Sequence, residues 1–274
     1  MVQASLINDD EVNVLLVDLL DIYGYDFIEY SRASLKRRIN RLFMLDNFPN
    51  FAEFRYHLRT EPVYMKRFVE EITVNVTEMF RDPSFYKALR TEVLPNLGTY
   101  PFIRIWIAGC STGEEVYSMA ILLEEANLLH KSLLYATDIN HDVVEKASQG
   151  IFPLSQMKQY SDNYILSGGQ KDFSSYYTTS YNLAKFNGQL KTKMIFSVHN
   201  LVSDHSFNEF QLILCRNVLI YFDKNLQSKV FTLFEGSLQH LGYLALGSKE
   251  TLRFSSVTDK FKPVGTGKIW RKLE

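Results

Sequence analysis

The chain has 274 residues, 22% of them charged, and a formal net charge of -1 at pH 7. That length accommodates one large domain and a smaller one with a substantial core, and so even a charge balance excludes bulk electrostatics as a route to nucleic acid or an anionic membrane surface. No apolar run approaches the roughly 18 residues of a membrane span, and residues 1–10 lack the basic and apolar regions of a signal peptide, so a cytoplasmic location is expected.

Residues 9–22, 32–45, 51–59 and 61–73 carry apolar side chains at helical spacing with charged residues between them, and Gly24 and the Phe48-Pro49-Asn50 turn separate the segments. Residues 1–75 are therefore expected to form an all-α domain. Asp82-Pro83 reads as the cap and first residue of another helix, running to Leu94 before Pro95, and residues 76–101 as a connector.

From residue 102 the pattern changes. Strands are expected at 103–108, 133–137, 194–199, 210–215 and 243–247, helices at 114–126, 140–148 and 224–240, and a closing hairpin through Val264 to Trp270. Such alternation predicts an α/β fold for residues 102–274, a Rossmann-like doubly wound and mostly parallel sheet covered by helices on both faces. Residues 172–194 do not fit it. They are rich in Tyr, Thr, Phe and Ser, and Asn187-Gly188 is a two-residue hairpin signal, so a small antiparallel β insertion is expected there.

The run Arg104 to Ala120 holds the densest information. Its apolar strand ends in Gly109-Cys-Ser-Thr-Gly113, a loop of small residues whose backbone can approach a ligand closely. A helix follows, burying Val116, Met119, Ala120 and Leu123 on one face. The next strand ends in Asp138, where a doubly wound fold places the carboxylate that accepts from ribose hydroxyls. A dinucleotide would set its pyrophosphate against the helix start. Glu114 and Glu115 stand there and would repel it, whereas they suit a phosphate-free cofactor with a positive sulfonium, S-adenosylmethionine. The plainer reading is two glutamates at the start of a solvated helix.

Cys110 and Cys215, at the ends of buried strands, are not expected to pair in a reducing compartment. The six histidines show neither His-x-x-x-His nor mixed Cys/His ligand spacing, so no metal is expected. Asn75-Val76-Thr77 matches the glycosylation pattern, which a cytosolic chain does not meet in use.

Taken together, Ser34 to Leu42, Ile72 to Asp82, Trp106 to Ala120, Ala136 to Ile139, Val198 to Leu201 and Leu214 to Asp223 resemble the chemotaxis receptor glutamate methyltransferases, the CheR family. The runs Gly-Cys-Ser-Thr-Gly-Glu-Glu and Cys-Arg-Asn-Val-Leu-Ile-Tyr-Phe are jointly specific. The resemblance implies transfer of a methyl group from S-adenosylmethionine to the γ-carboxylate of glutamates on a receptor's cytoplasmic helical bundle, with S-adenosylhomocysteine as product. By matching positions it implies that Asn75, Thr77 and Arg81 hold the cofactor's methionine end and line the reaction site. Glu115 and Asp138 would serve the methionyl amine or the ribose, Asn200 with Leu201 and Arg216 with Asn217 the adenosine part, and Tyr221 with Arg81 would flank the transferring methyl group. The chain departs from the family at Val116, where Pro is usual, at Met79, where an aromatic is common, and at Gly247 to Leu252, where Gly-His-Ser-Glu-Ser-Leu is typical.

Methyl transfer from a sulfonium is a direct displacement, and an acceptor carboxylate with a pKa of about 4.3 is already ionised near neutral pH. No general base is required, and none is evident. Each implied residue also has a duller explanation. Arg81 beside Asp82 suits an exposed ion pair, Tyr221-Phe222 suits core packing, Asn75 and Thr77 suit a turn, and Asp138 suits a cap for the helix at Asn140. The segment 32–41 carries Arg32, Lys36, Arg37, Arg38 and Arg41 and no acid. On a helix, Arg37, Arg38 and Arg41 share one side while Leu35, Ile39 and Leu42 face the core, with Arg32 and Lys36 at the opposite edge. This is the expected docking surface for an acidic receptor. The edge of the insertion's antiparallel sheet could accept an added strand, such as a receptor C-terminal peptide, and the sequence leaves open whether it does. A monomer is expected. The rival readings are a methyltransferase for another acceptor and a non-catalytic sensor of the cofactor.

Overall fold

Helix α1 (Asp9–Tyr23) begins because Asn8 and Glu11 satisfy each other's backbone amides in a capping box, and it ends where Gly24 turns left-handed at φ 75°. The computed structural model describes residues 6–73, 76–253, 255–265 and 267–273. After α1 come α2 (Arg32–Leu45), α3 (Phe51–Thr60), capped by the Asn50 side chain, and α4 (Pro62–Thr73). Each buries one stripe, as in Leu35, Ile39 and Leu42 of α2 or Met65, Phe68 and Val69 of α4. The four helices stand within one residue of their expected limits.

The contacts divide the chain into two units, Met1–Asn75 with Ile220–Lys229, and Val76–Leu219 with Val230–Glu274. Inclusion of Ile220–Lys229 with the helices was not expected. Its backbone is tied there by the Ser31 N–H donating to the Tyr221 carbonyl at 2.7 Å and the Asp223 N–H donating to Glu29 at 3.0 Å, with Tyr30 and Phe222 forming an antiparallel bridge.

The second unit opens with α5 (Pro83–Ala88), a π-helical turn at Leu89–Val93 and α6 (Leu94–Leu97). The expected connector is thus core-building: Phe85, Tyr86, Leu89, Val93 and Leu97 are buried in the main cluster. It also runs on through Pro95, which sits near the start of α6, where a missing N–H costs nothing. There follow β1 (Ile103–Ala108), α7 (Glu114–Glu125), β2 (Ser132–Asp138), α8 (His141–Gln149), β3 (Ile151–Pro153), α9 (Met157–Leu166), β4 (Tyr177–Ser180), β5 (Leu183–Phe186), α10 (Gly188–Lys191), β6 (Met194–Val198), β7 (Phe210–Cys215), α11 (Lys224–Ser237), β8 (Leu238–Leu246), β9 (Phe261–Pro263) and β10 (Ile269–Lys272).

Seven strands form one sheet in the order β6-β2-β1-β7-β8-β10-β9. The first five are parallel, and β10 and β9 are antiparallel. Strand order reverses between β1 and β7, so the crevice of this doubly wound sheet opens at the carboxyl ends of those two strands. A separate three-stranded antiparallel sheet, β3-β5-β4, is the insertion. It starts at Ile151, earlier than the expected residue 172, because β3 pairs Phe152 with Ala184 across more than thirty residues of chain. The expected hairpin at Asn187-Gly188 does not form. The turn joins β4 to β5 at Tyr181-Asn182, with Tyr181 at φ 53°, while Asn187 stands before α10 and its side-chain amide donates to the Ser175 carbonyl at 2.9 Å.

Candidate active site

Strand β1 delivers the chain into the Gly109–Gly113 loop, whose first two amides, of Gly109 and Cys110, both donate to the Thr137 carbonyl at the end of β2. Two positions there require glycine. A Cβ on Gly109, at φ 79°, would lie 2.3 Å from Val218 Cγ2, and one on Gly113, at φ 99°, would lie 2.9 Å from Ala147 Cβ. Ser111, also left-handed at φ 48°, directs its N–H to Asp138 Oδ2 at 2.9 Å, and Asp138 Oδ1 accepts from the Asn140 N–H at 3.1 Å. Asp138 therefore ties two loops together, while capping of α8 falls to the Asn140 side chain. Burial pushes the Asp138 carboxyl above its ordinary value, against the lowering effect of those amides.

The two glutamates at the start of α7 part company. Glu114 is buried, its Oε2 accepting from the Thr112 hydroxyl at 2.6 Å and its Oε1 from the Tyr160 hydroxyl at 3.3 Å, and burial raises its pKa. Glu115 accepts from Arg216 Nη1 at 2.7 Å. The pair is therefore not a solvated helix start, and neither is it a free double negative charge facing a sulfonium. Glu115 is the partner of a buried cation.

That cation organises the site. Arg216, just past β7, is 7% exposed, and its Nη2 donates to Asp82 Oδ2 at 2.8 Å and to the Arg81 carbonyl at 3.0 Å. Its guanidinium carbon lies 4.0 Å from the centre of the Phe85 ring. Burial works against the charge, but Glu115, Tyr86 and Asp82 outweigh it and hold Arg216 more firmly protonated than usual. Asp82 was expected to cap α5 with its side chain. It makes no such bond, since its own φ of 57° turns the carboxylate to Arg216 instead.

Arg81 sits in a strained turn, with Phe80 at φ 51° and Asp82 at φ 57° on either side. The turn persists because Phe80 is fully buried among the rings of Tyr86, Tyr164 and Phe173, its N–H donating to Ser118 Oγ at 3.0 Å, while the Asn163 side chain donates to the Met79 carbonyl. Arg81 Nη1 donates to the Val76 carbonyl at 3.1 Å, and Thr77 is half-buried nearby in sequence. Asn75 lies outside the described residues. Asn200 and Leu201 form the turn after β6, where the Asn200 Oδ1 accepts from Val202 and the Asn200 N–H meets Asp204. Asn217 is left-handed at φ 63°.

Tyr221 belongs to the helical unit. The Arg38 guanidinium lies 4.5 Å from the centre of its ring and donates to the Ile72 carbonyl at 2.6 Å. The five basic residues of α2 accordingly split. Arg32 bonds Asn13, Lys36 pairs with Asp9 at 2.9 Å, Arg38 is committed to Ile72 and Tyr221, and Arg37 and Arg41 are exposed.

Among the described residues, several of the buried polar atoms without a hydrogen-bond partner follow the carboxyl ends of the parallel strands, Ser111 Oγ after β1, Asn140 Nδ2 after β2, His199 Nδ1 after β6 and Arg216 Nε after β7, and others, such as Arg32 Nη1 and Tyr117 Oη, lie elsewhere. Buried polar groups are ordinarily satisfied, so this edge fits a polar ligand that supplies the missing partners. Sequence reasoning missed Ser111, His199 and Glu250, whose buried carboxylate binds the loop after β7. Among the described residues one grouping offers metal-ligand chemistry, His141, Asp142 and Glu145, with ligand atoms within 4.8 Å of one another on a largely exposed turn of α8. No helix among those residues is long and apolar enough to cross a membrane.

Two sequence families match this chain, CheR methyltransferase, all-alpha domain, over residues 10–73, and CheR methyltransferase, SAM binding domain, over residues 75–269. A Pseudomonas putida protein, provisionally named as the methyltransferase Cher3, is 45% identical over 96% of this chain and 97% of its own length. A chemotaxis protein methyltransferase of Listeria monocytogenes is 31% identical, covering 84% of this chain and 85% of that protein. One of Borreliella burgdorferi is 30% identical over 90% of both. The cofactor of the matched domain is S-adenosylmethionine, which fits the glycine loop, the strand-end carboxylate and the unpartnered polar atoms just described. With both of its domains matched and the sheet order of a doubly wound enzyme, the chain belongs to the CheR methyltransferase family.

Proposed function

We propose that the chain methylates glutamate side-chain carboxylates on the cytoplasmic domain of chemotaxis receptors. The observation that carries this reading is the match to both family domains, joined by relatives named chemotaxis protein methyltransferases at 30–31% identity over 84–90% of this chain. S-adenosylmethionine supplies an electrophilic methyl group on a positive sulfur. Thr77 and Arg81, with Asn75, would hold its methionine end, Glu115 and Asp138 the amine or ribose, and Asn200, Leu201 and Asn217 the adenosine.

For Arg216 the geometry supports a different emphasis. Its two Nη groups serve Glu115 and Asp82, leaving Nε for a ligand, so its main work is to fix the Glu115 carboxylate and the Arg81 backbone. The acceptor glutamate needs no base. What the protein provides is alignment and partial removal of water, which together can be worth roughly 7 to 11 kcal/mol. The planar fork of Arg81 is suited to a carboxylate, and the Tyr221 hydroxyl to a single oriented hydrogen bond.

The test is incubation of the pure protein with methyl-labelled S-adenosylmethionine and receptor cytoplasmic fragments. Base-labile label on the fragment is expected, since a glutamyl methyl ester hydrolyses in alkali. Label of another kind would mean a different acceptor, and binding of S-adenosylhomocysteine without transfer would mean a sensor. Either outcome overturns the proposal.

A further inference from the structure

Where β7 ends, the backbone leaves the sheet and loses its ladder partners, so the amides of the next residues must be satisfied elsewhere. Glu250 satisfies two of them. It stands in the turn that follows β8, is 5% exposed, and its Oε2 accepts from the Asn217 N–H at 3.0 Å while its Oε1 accepts from the Leu219 N–H at 2.8 Å. The same Oε2 accepts from the Gly247 N–H at 2.6 Å, which fixes the carboxylate to its own turn.

This clasp leaves little freedom. A Cβ on Gly247 would lie 2.8 Å from both the Asn217 nitrogen and Glu250 Oε2. On the other side of the loop, Val218 Cγ2 occupies the space beside Gly109 that a side chain there would need. Between these two contacts Asn217 is held at φ 63°, a left-handed conformation that Asn adopts more readily than other residues with a side chain. A carboxylate suits the task because both oxygens accept and neither carries a hydrogen that would meet an N–H.

We propose that Glu250 is a positioning residue for cofactor binding, its carboxylate holding the loop after β7 in the conformation from which Asn217 engages the nucleoside. The inference rests on the reading of Asn217 as a cofactor contact.

A double-mutant cycle tests it, with S-adenosylhomocysteine as the probe and calorimetry on the full chain at a temperature where circular dichroism shows every variant folded. Glu250→Gln puts an amide NH2 against one of the backbone amides. It is expected to weaken binding about tenfold, the loss of one well-made hydrogen bond. Asn217→Ala should cost a similar factor, and the double variant should bind no more weakly than the worse single one. A merely structural glutamate would lower the melting temperature and leave affinity at wild type, or its effect would multiply with that of Asn217→Ala, and either result overturns the proposal. If Asn217→Ala alone leaves affinity unchanged, it is the cofactor reading of Asn217 that fails. Should Glu250→Gln not fold, Gly247→Ala, which strikes the same clasp from the glycine side, is measured in its place against the same criteria.

Discussion

Arg216 holds two carboxylates and a carbonyl with one guanidinium, and no lysine could reproduce that fork. Its side chain is 2% exposed and that of Glu115 13%, so removing the cation alone strands a carboxylate in a dry place. Arg216→Leu is expected to destabilise the protein by about 3 kcal/mol, at the lower end for a broken buried pair because Asp82 keeps 38% of its exposure and stays solvated. Replacing both partners, Arg216→Leu with Glu115→Leu, should recover part of that loss, since a packed apolar pair avoids the desolvation cost. Urea unfolding of the three proteins decides it, and a double variant as unstable as the single one would refute the account. The sequence marked Arg216 through its motif but not its protein partners, which lie 101 and 134 residues away and which only the fold brings to its two nitrogens. The strain at Phe80 and Asp82 was hidden for the same reason. Nothing local in Met-Phe-Arg-Asp calls for left-handed backbone, and the cost is met by the burial of Phe80 among distant rings.

The elements that periodicity reveals were readable from the chain, and the ones that depend on distant partners were not. The four N-terminal helices, β1, α7, β2 and β7 are long or strongly patterned. By contrast, β3 has three residues and exists only because β5 pairs with it, and Asn187-Gly188 is a generic turn signal that tertiary contacts captured for α10. Helix α9 was overlooked as well. It is tied to the rest by Glu125 at the end of α7, whose fully buried side chain pairs with Arg90 at 2.6 Å and accepts from the hydroxyls of Tyr164 and Tyr176 and from the Gln170 N–H at 3.0 Å. Burial alone would raise the pKa of Glu125, but the Tyr164 hydroxyl, the Gln170 amide and Arg90 together bring it below the ordinary 4.5. A carboxylate depressed in the folded state stabilises fully above its unfolded value and loses that contribution as pH falls through the folded one. Stability should therefore decline as the pH drops below about 4.5. Glu125→Gln should cost about 2 kcal/mol at pH 7 and show a shallower acid decline. Urea midpoints between pH 7 and pH 3 measure both, and parallel pH curves for the two proteins would sink the idea.

Considered as one molecule, the chain has a near-neutral total charge, so any attraction for an acidic receptor must come from a local surface. Helix α2 has the composition for it, yet its five basic residues are not equivalent. Lys36 and Arg32 are engaged with α1, and Arg38 is half-buried against Tyr221, where burial draws its pKa down and Tyr221 opposes the shift. The exposed cations are Arg37 and Arg41, one helical turn apart. If the receptor docks on this face, Arg37→Glu with Arg41→Glu should lower kcat/KM for intact receptor about tenfold at low salt, with the deficit shrinking as salt screens the field. Affinity for S-adenosylhomocysteine should stay at the wild-type value, because neither side chain is among the proposed cofactor contacts. Arg38→Glu is expected to behave differently. It removes a contact of Tyr221 and buries a negative charge beside the Ile72 carbonyl, so it should lower kcat at every ionic strength. Initial rates of methyl ester formation across a salt series separate the two classes. Identical salt profiles for the Arg37/Arg41 pair and for Arg38 would show that α2 acts as one charged patch and that Arg38 has no separate hold on Tyr221.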